Sequence, residues 1–253
     1  MMGLRRPALT LIAFLPTSLK VILYRWFFGY RFGKNVKIGI ACLDCNKLTV
    51  GDGTRIGHGV VFWRCGDFQI GSQVRIGMLN LFRGGDRLVL GDYAEIIRLN
   101  VINAIPENDC TNDPDSSFHL GYGSVITSEH RIDFTDRVSI GRRSILGGRN
   151  SSIWTHNRRD GAPVEIGDYC YVGSEIRMAP GARIPDCCIV GLGSVITRSL
   201  DTPYSLIAGV PAKRLRALDE EDRKLIFGKT RPDLPDEADP QPFIPEDRHF
   251  LSE

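Results

Sequence analysis

The sequence predicts an all-β chain, a parallel β-helix of hexapeptide repeats, preceded by a helical segment and followed by a short helix and a tail. Three observations carry this. Aliphatic residues or Met recur at every sixth position through Ile166, Val172, Met178, Ile184, Val190 and Ile196. Gly follows that position at 167, 173 and 191, and compact residues recur four positions on, at Cys170, Ile176, Ala182, Cys188 and Ser194. The same unit returns upstream as VGDGTR (50–55), IGHGVV (56–61), IGSQVR (70–75), LGDYAE (90–95) and IGRRSI (140–145). Roughly half of all residues in any chain are apolar, so the six hits alone decide little. Their constant company marks a solenoid.

In chain order, residues 1–33 form the first expected segment. It carries ALTLIAFL (8–15) behind Arg5 and Arg6, then VILYRWFFGYRF (21–32), in which aromatics alternate with Arg25 and Arg31. ALTLIAFL resembles a signal-peptide core, but no small-x-small cleavage site follows it. The uncharged run from Pro7 to Leu19 has 13 residues, against the ~20 that a spanning helix needs. Aromatics interleaved with cations suit a helix lying on an anionic membrane surface. They suit equally a helix that caps a core, and both readings stand.

Residues 34–207 form the expected β-helix. One hexad is a short strand plus a turn, and three hexads close an 18-residue triangular coil. The first position of each hexad points inward and stacks on its equivalents, so it must be aliphatic. Gly or Asp just after it is expected to serve a corner where φ is positive or a side chain caps the backbone. No stretch of helical period separates the strands, which excludes an α/β layout. Two polar interruptions, at 103–119 and 157–163, break the period, and a smaller slip lies between Ile132 and Phe134. Loops extruded from a regular coil are where binding groups gather. Residues 208–253 close the chain, with a helix expected near 219–229 and a Pro- and acid-rich tail beyond.

The net charge of +2 excludes a bulk nucleic-acid binder but conceals an asymmetry. Residues 1–37 hold seven basic side chains and no acid, whereas 217–253 hold eleven acids against five Lys or Arg. Seven cysteines in a chain of this length are no secreted disulfide scaffold. Cys42-x-x-Cys45 has no second CxxC to complete a zinc site, and buried thiols in a reducing compartment are the expectation.

Three motifs follow one another in a specific order: Thr155-His156, a loop and PVEIGDYCYVGS (163–174); the run VGSEIRMAPGARIPDCCIVGLGSVITRSL (172–200); and AGVPAKRLR (208–216). The series resembles the left-handed β-helix hexapeptide-repeat acyltransferases of the maltose, galactoside and polysaccharide O-acetyltransferase type, over about residues 34–216. ITSEHRID (126–133) resembles the branch that modifies cell-surface polysaccharides. The resemblance implies homotrimers with acetyl-CoA between adjacent subunits, no metal, and a histidine general base, which His156 matches. It places His130 on the acceptor side and implies coenzyme A contacts at Gly173, Ser174, Leu192, Thr197, Arg198, Lys213 and Arg216. The acceptor implied is a hydroxyl of a glycan or lipid-linked sugar at the cytoplasmic face of the membrane.

The chemistry suits a histidine. A sugar hydroxyl is a poor nucleophile near neutral pH, so its proton must leave as it attacks the thioester, and imidazoles, with an ordinary pKa of ~6.5, accept protons there. Backbone N–H groups or an amide would hold the oxyanion, with Asn157 and Ser174 as candidates. No Ser/His/Asp order points to an acyl-enzyme, which favours direct transfer. Three rival readings remain: an amino-sugar N-acetyltransferase acting on a nucleotide sugar, a non-catalytic β-helix scaffold, and a γ-class carbonic anhydrase-like protein holding zinc through His119, His130 and His156.

Overall fold

A computed structural model of the chain describes residues 2–105, 115–156, 162–228 and 234, and for residues 2–6 it describes the backbone alone. Most of both interruptions, and most of the tail beyond 228, lie outside the described residues. From Arg31–Phe32 to Ser205–Gly209 the chain winds as a three-faced parallel β-solenoid.

Each face carries one inward column. On the first face Ile38, Ile56, Ile76, Ile96, Ile126, Leu146, Val172, Val190 and Ile207 stack in register. Phe62, Phe82, Ile102, Ile132, Ile153, Met178 and Ile196 do so on the second. Val50, Ile70, Leu90, Leu120, Ile140, Ile166 and Ile184 form the third. Nearly all are buried, and burying one such side chain fully contributes about 1.5–3 kcal/mol.

The expected 18-residue coil holds only at the two ends. Ile38 to Ile56 and Val172 to Val190 are steps of 18, but the steps between them are 20, 20, 30, 20 and 26 residues. Nearly all of the excess enters at one corner, between the second and third faces, and both interruptions leave from it. The two added residues widen the coil. Phenylalanines fill the extra width: Phe62, Phe68 and Phe82 meet with ring centroids 4.6–5.2 Å apart, and Phe118 lies 5.9 Å from Phe134.

The corner glycine has a different reason from the one expected. The residue with positive φ comes three positions after the aliphatic one and is usually not Gly, as at Gln73, Tyr93, Glu129, Tyr169 and Glu175. The Gly directly after the aliphatic position is there for stacking. A Cβ on Gly121 would lie 2.5 Å from the amide N of Arg142, and one on Gly167 would lie 2.6 Å from that of Asp186. Asp two positions after the aliphatic residue then caps the coil below: Asp168 accepts from the Arg142 N–H at 2.8 Å, and Asp186 from that of Asp168 at 2.8 Å.

Helices α1 (Met2–Ala13) and α2 (Thr17–Phe28) close the N-terminal end. Leu9, Ile12, Ala13 and Tyr24 are buried beneath them. The first coil would otherwise present unpaired strand edge. Thr17 Oγ1 exchanges hydrogen bonds with the Ile38 backbone at 3.0 and 3.2 Å, and the buried Lys20 Nζ donates to the carbonyl oxygens of Ile38 and Gly39. Capping is therefore one use of this segment. At the other end Ser205–Gly209 adds a last rung, and Ala212–Ala217 turns back antiparallel on it. Helix α3 (Glu220–Phe227) follows, with Asp219 as N-cap and Asp222 completing the capping box.

Candidate active site

The corner between the second and third faces gathers a cluster of buried polar side chains beside His156. In the coil that separates the two interruptions this corner reads Asp133-Phe134-Thr135-Asp136, and all four residues are buried. Thr135 holds the foot of the first interruption: its Oγ1 accepts from the Ile105 N–H at 3.0 Å, and its carbonyl accepts from Ser116 Oγ at 2.9 Å. Asp136 holds the foot of the second, its Oδ2 accepting from the Ala162 N–H. Thr155 docks between the two aspartates. Its Oγ1 accepts from the Asp136 N–H at 2.9 Å and donates toward the carbonyl and Oδ1 of Asp133 at 3.0 and 3.1 Å.

His156 follows Thr155 directly. Along this strand Ser152 faces outward, Ile153 inward, Trp154 outward and Thr155 inward. His156 thus falls on the outer surface, half-buried, on a backbone that its neighbour fixes. Asp133, Thr135 and Asp136 escape a reading of the sequence by pattern. Their one signal is the slip between Ile132 and Phe134, which is the two-residue widening of this coil.

His130, expected on the acceptor side, lies away from the His156 edge. It is completely buried at the corner between the first and second faces. There it is a rung in a polar ladder inside the solenoid. Asn80 Oδ1 accepts from the Asn100 N–H and Nδ2 at 3.0 Å each, Asn100 Oδ1 from the His130 N–H at 2.9 Å, and Ser151 Oγ from the Ile176 N–H at 3.2 Å. His130 Nδ1 accepts from the Ser151 N–H at 3.1 Å, so its proton resides on Nε2, which donates to Thr127 Oγ1 at 2.9 Å. Burial depresses its pKa to about 4. Both nitrogens have protein partners within the coil. His119 sits on the third face, where burial and then Arg87 lower its pKa. Among the described residues no three His, Cys, Asp or Glu side chains converge as a metal-ligand set.

The positions expected to meet coenzyme A bracket the second face. Trp154, Ala179 and Thr197 stack in successive coils, so Thr197 and Arg198 share the His156 edge, two coils on, or roughly 10 Å along the axis. Gly173, Ser174 and Leu192 line the opposite edge. Gly193 N–H donates to the Ser174 carbonyl at 2.9 Å, and Leu192 is largely exposed. On the second face and its corner with the first lies an open cleft of about 370 Å³, lined by Glu129, Arg131, Asn150, Ser152, Glu175 and Arg177 among others, and none of its lining residues is on the His156 edge. Arg131, Ser152 and Arg177 align across three coils. No pattern in the sequence marks them, since outward charged positions read as solvated surface.

Lys213 lies exposed on the closing hairpin. Arg216 does not fit a phosphate-binding role as it stands. Its Nη1 pairs with Asp222 Oδ2 and, at 3.2 Å, with Asp219 Oδ2, tying the hairpin to α3. Asn157 lies outside the described residues.

No family model matches the chain. It is 25% identical over 115 residues to galactoside O-acetyltransferase of Escherichia coli K12, an alignment covering 44% of this chain and 56% of that protein. Curated relatives are matched over about a third to somewhat over half of their length. Among solved structures it resembles the UDP-N-acetylglucosamine acyltransferase of Campylobacter jejuni, with TM-score 0.62, 18% identity and coverage of 78% of this chain and 77% of the other. It also resembles the Francisella novicida enzyme of that name, with TM-score 0.59, 15% identity and coverage of 79% and 70%. The likenesses to these structures establish the solenoid fold.

Proposed function

We propose that the chain transfers acetyl from acetyl-CoA to a sugar hydroxyl of a cell-surface polysaccharide or its lipid-linked precursor, with His156 as general base. The observation that carries this is the placement of His156. It faces outward from a backbone pinned through Thr155 to Asp133 and Asp136, on the edge that releases both interruptions and also bears Thr197 and Arg198. The sequence relationship to a galactoside O-acetyltransferase supports the choice of acceptor class.

In the reaction, the imidazole takes the proton from the acceptor hydroxyl as its oxygen attacks the thioester carbonyl. The tetrahedral intermediate collapses by breaking the carbon–sulfur bond. The imidazolium then returns the proton to the departing thiolate, so acetyl ester and free coenzyme A leave and His156 is neutral again. Gly173 and Ser174 would pass the pantetheine arm, and Lys213 would meet phosphate by a charge-assisted contact.

A homotrimer accords with this reading. Met78, Leu79, Ile97 and Leu99 form an exposed apolar row on the corner between the first and second faces, which a neighbouring subunit would cover while roofing the cleft. The test is thiol release from acetyl-CoA across a panel of sugar acceptors, together with the His156→Ala variant. Acceptor-dependent release that His156→Ala abolishes supports the proposal, and normal transfer by that variant removes its centre. Acetylation of amino groups in preference to hydroxyls would favour the N-acetyltransferase reading. Stoichiometric zinc in the purified protein would favour the carbonic anhydrase-like one.

A further inference from the structure

We propose that the outward flank of the N-terminal helical hairpin is a docking surface for an anionic lipid bilayer. Capping the solenoid uses only one flank of α1 and α2. The other exposes Leu11, Phe14, Ile22, Trp26 and Phe27, with Trp26 85% and Phe27 73% accessible. Single exposed apolar residues are ordinary, but a group of this size on one short hairpin marks an interaction site. At 12 residues each, the helices are ~18 Å long, too short to cross a bilayer but suited to lying in its interface. Trp at such a position places an amphipathic ring at headgroup depth.

Charge selects the partner. Residues 1–75 contain eleven Lys or Arg and three acids, Asp44, Asp52 and Asp67. Asp44 is buried, Asp52 accepts from the Lys34 N–H, and Asp67 accepts from Gln69 Nε2. On the first face, in the two rungs nearest the hairpin, Lys37 stacks on Arg55. Neighbouring cations at strand spacing repel one another, and an anionic surface relieves the repulsion. A protein interface is instead depleted of charge at its core. The hairpin also lies at the end of the axis, apart from the apolar row assigned above to subunit contact.

Docking there has a geometric corollary, which rests on the acetyltransferase reading. Five coils separate the capped coil from that of His156, roughly 24 Å at strand spacing. The hydroxyl modified would then stand several sugars away from the lipid headgroup.

The docking itself is tested without activity, by co-sedimentation of the full chain with vesicles of phosphatidylcholine alone or mixed with phosphatidylglycerol. Binding is expected to the mixed vesicles, to be weak on phosphatidylcholine, and to fall with salt. Trp26→Ser with Phe27→Ser should weaken it roughly ten-fold or more, with circular dichroism unchanged because both side chains are exposed. Lys34→Gln with Lys37→Gln should weaken it about five-fold per cation. The proposal is overturned if the wild-type chain stays in the supernatant with mixed vesicles, if it binds both compositions equally, or if the Trp26/Phe27 variant binds as well as wild type. A lower lipid-free mass for that variant than for wild type would also overturn it, by assigning the flank to a second copy of the chain.

Discussion

The last full coils, 166–196, and the middle coils, 96–156, solve the same packing problem in different ways. The last coils advance by strict hexads, with aliphatic columns on all three faces and no Phe inside. The middle coils are wider. They hold Phe118 and Phe134, carry the polar ladder through Asn100, His130 and Ser151, and release both interruptions from one edge. Regularity minimises buried polar groups. The departures from it create, among the described residues, the corner at which Asp133, Thr155 and Asp136 meet beside His156.

That contrast can be broken from either side. The largest effect expected is on turnover by His156→Ala, a loss of roughly 10²–10⁴ in kcat with the urea midpoint unchanged, measured by thiol release. His130 should do the reverse, affecting stability through pH. Its folded pKa of about 4 lies below the ordinary 6.5. Between those values the unfolded chain takes up a proton that the folded chain refuses, so stability is complete above about pH 6.5 and is lost as pH falls. The gap corresponds to roughly 3 kcal/mol. Urea midpoints compared between wild type and His130→Asn at neutral and mildly acidic pH should show that share of the dependence vanish.

Smaller effects separate anchor from scaffold. Thr155→Val leaves the Asp136 N–H and the Asp133 carboxylate short of a partner, costing about 1–3 kcal/mol and lowering kcat with little change in KM. Gly167→Ala, in the regular region, should cost a similar 1–3 kcal/mol through its clash with the coil above yet leave the activity of each folded molecule intact. The smallest effect expected is that of Lys213→Ala, about a ten-fold rise in the KM for acetyl-CoA. Arg216→Ala should leave that KM alone and loosen α3.

Much of this is legible in the sequence because a stacked column repeats its chemistry at fixed spacing. The period of six is visible at Ile166 through Ile196, and the Thr155-His156 pair stands out against it. Two features resist such a reading. Tyr93 and Glu129 take positive φ as readily as Gly53 does, because cross-coil hydrogen bonds hold the corner, and residue type therefore misidentifies the left-handed position. His130 resembles a site residue because a buried histidine and an exposed one look alike until the neighbouring coil supplies Asn100 and Ser151. Asp133 and Asp136 were hidden by the widened coil, which shifts them out of the hexad frame.

Concentrating nearly every change of coil length at one edge also contains its consequences. A residue added between the second and third faces lengthens that corner and nothing else, since the next rung still lands on its column. The step of 30 residues from Ile96 to Ile126 leaves the pairing of Val125 with Glu95 and with Ile145 undisturbed. The edge therefore works as an expansion joint. Chain can be added there while the columns above and below stay in register.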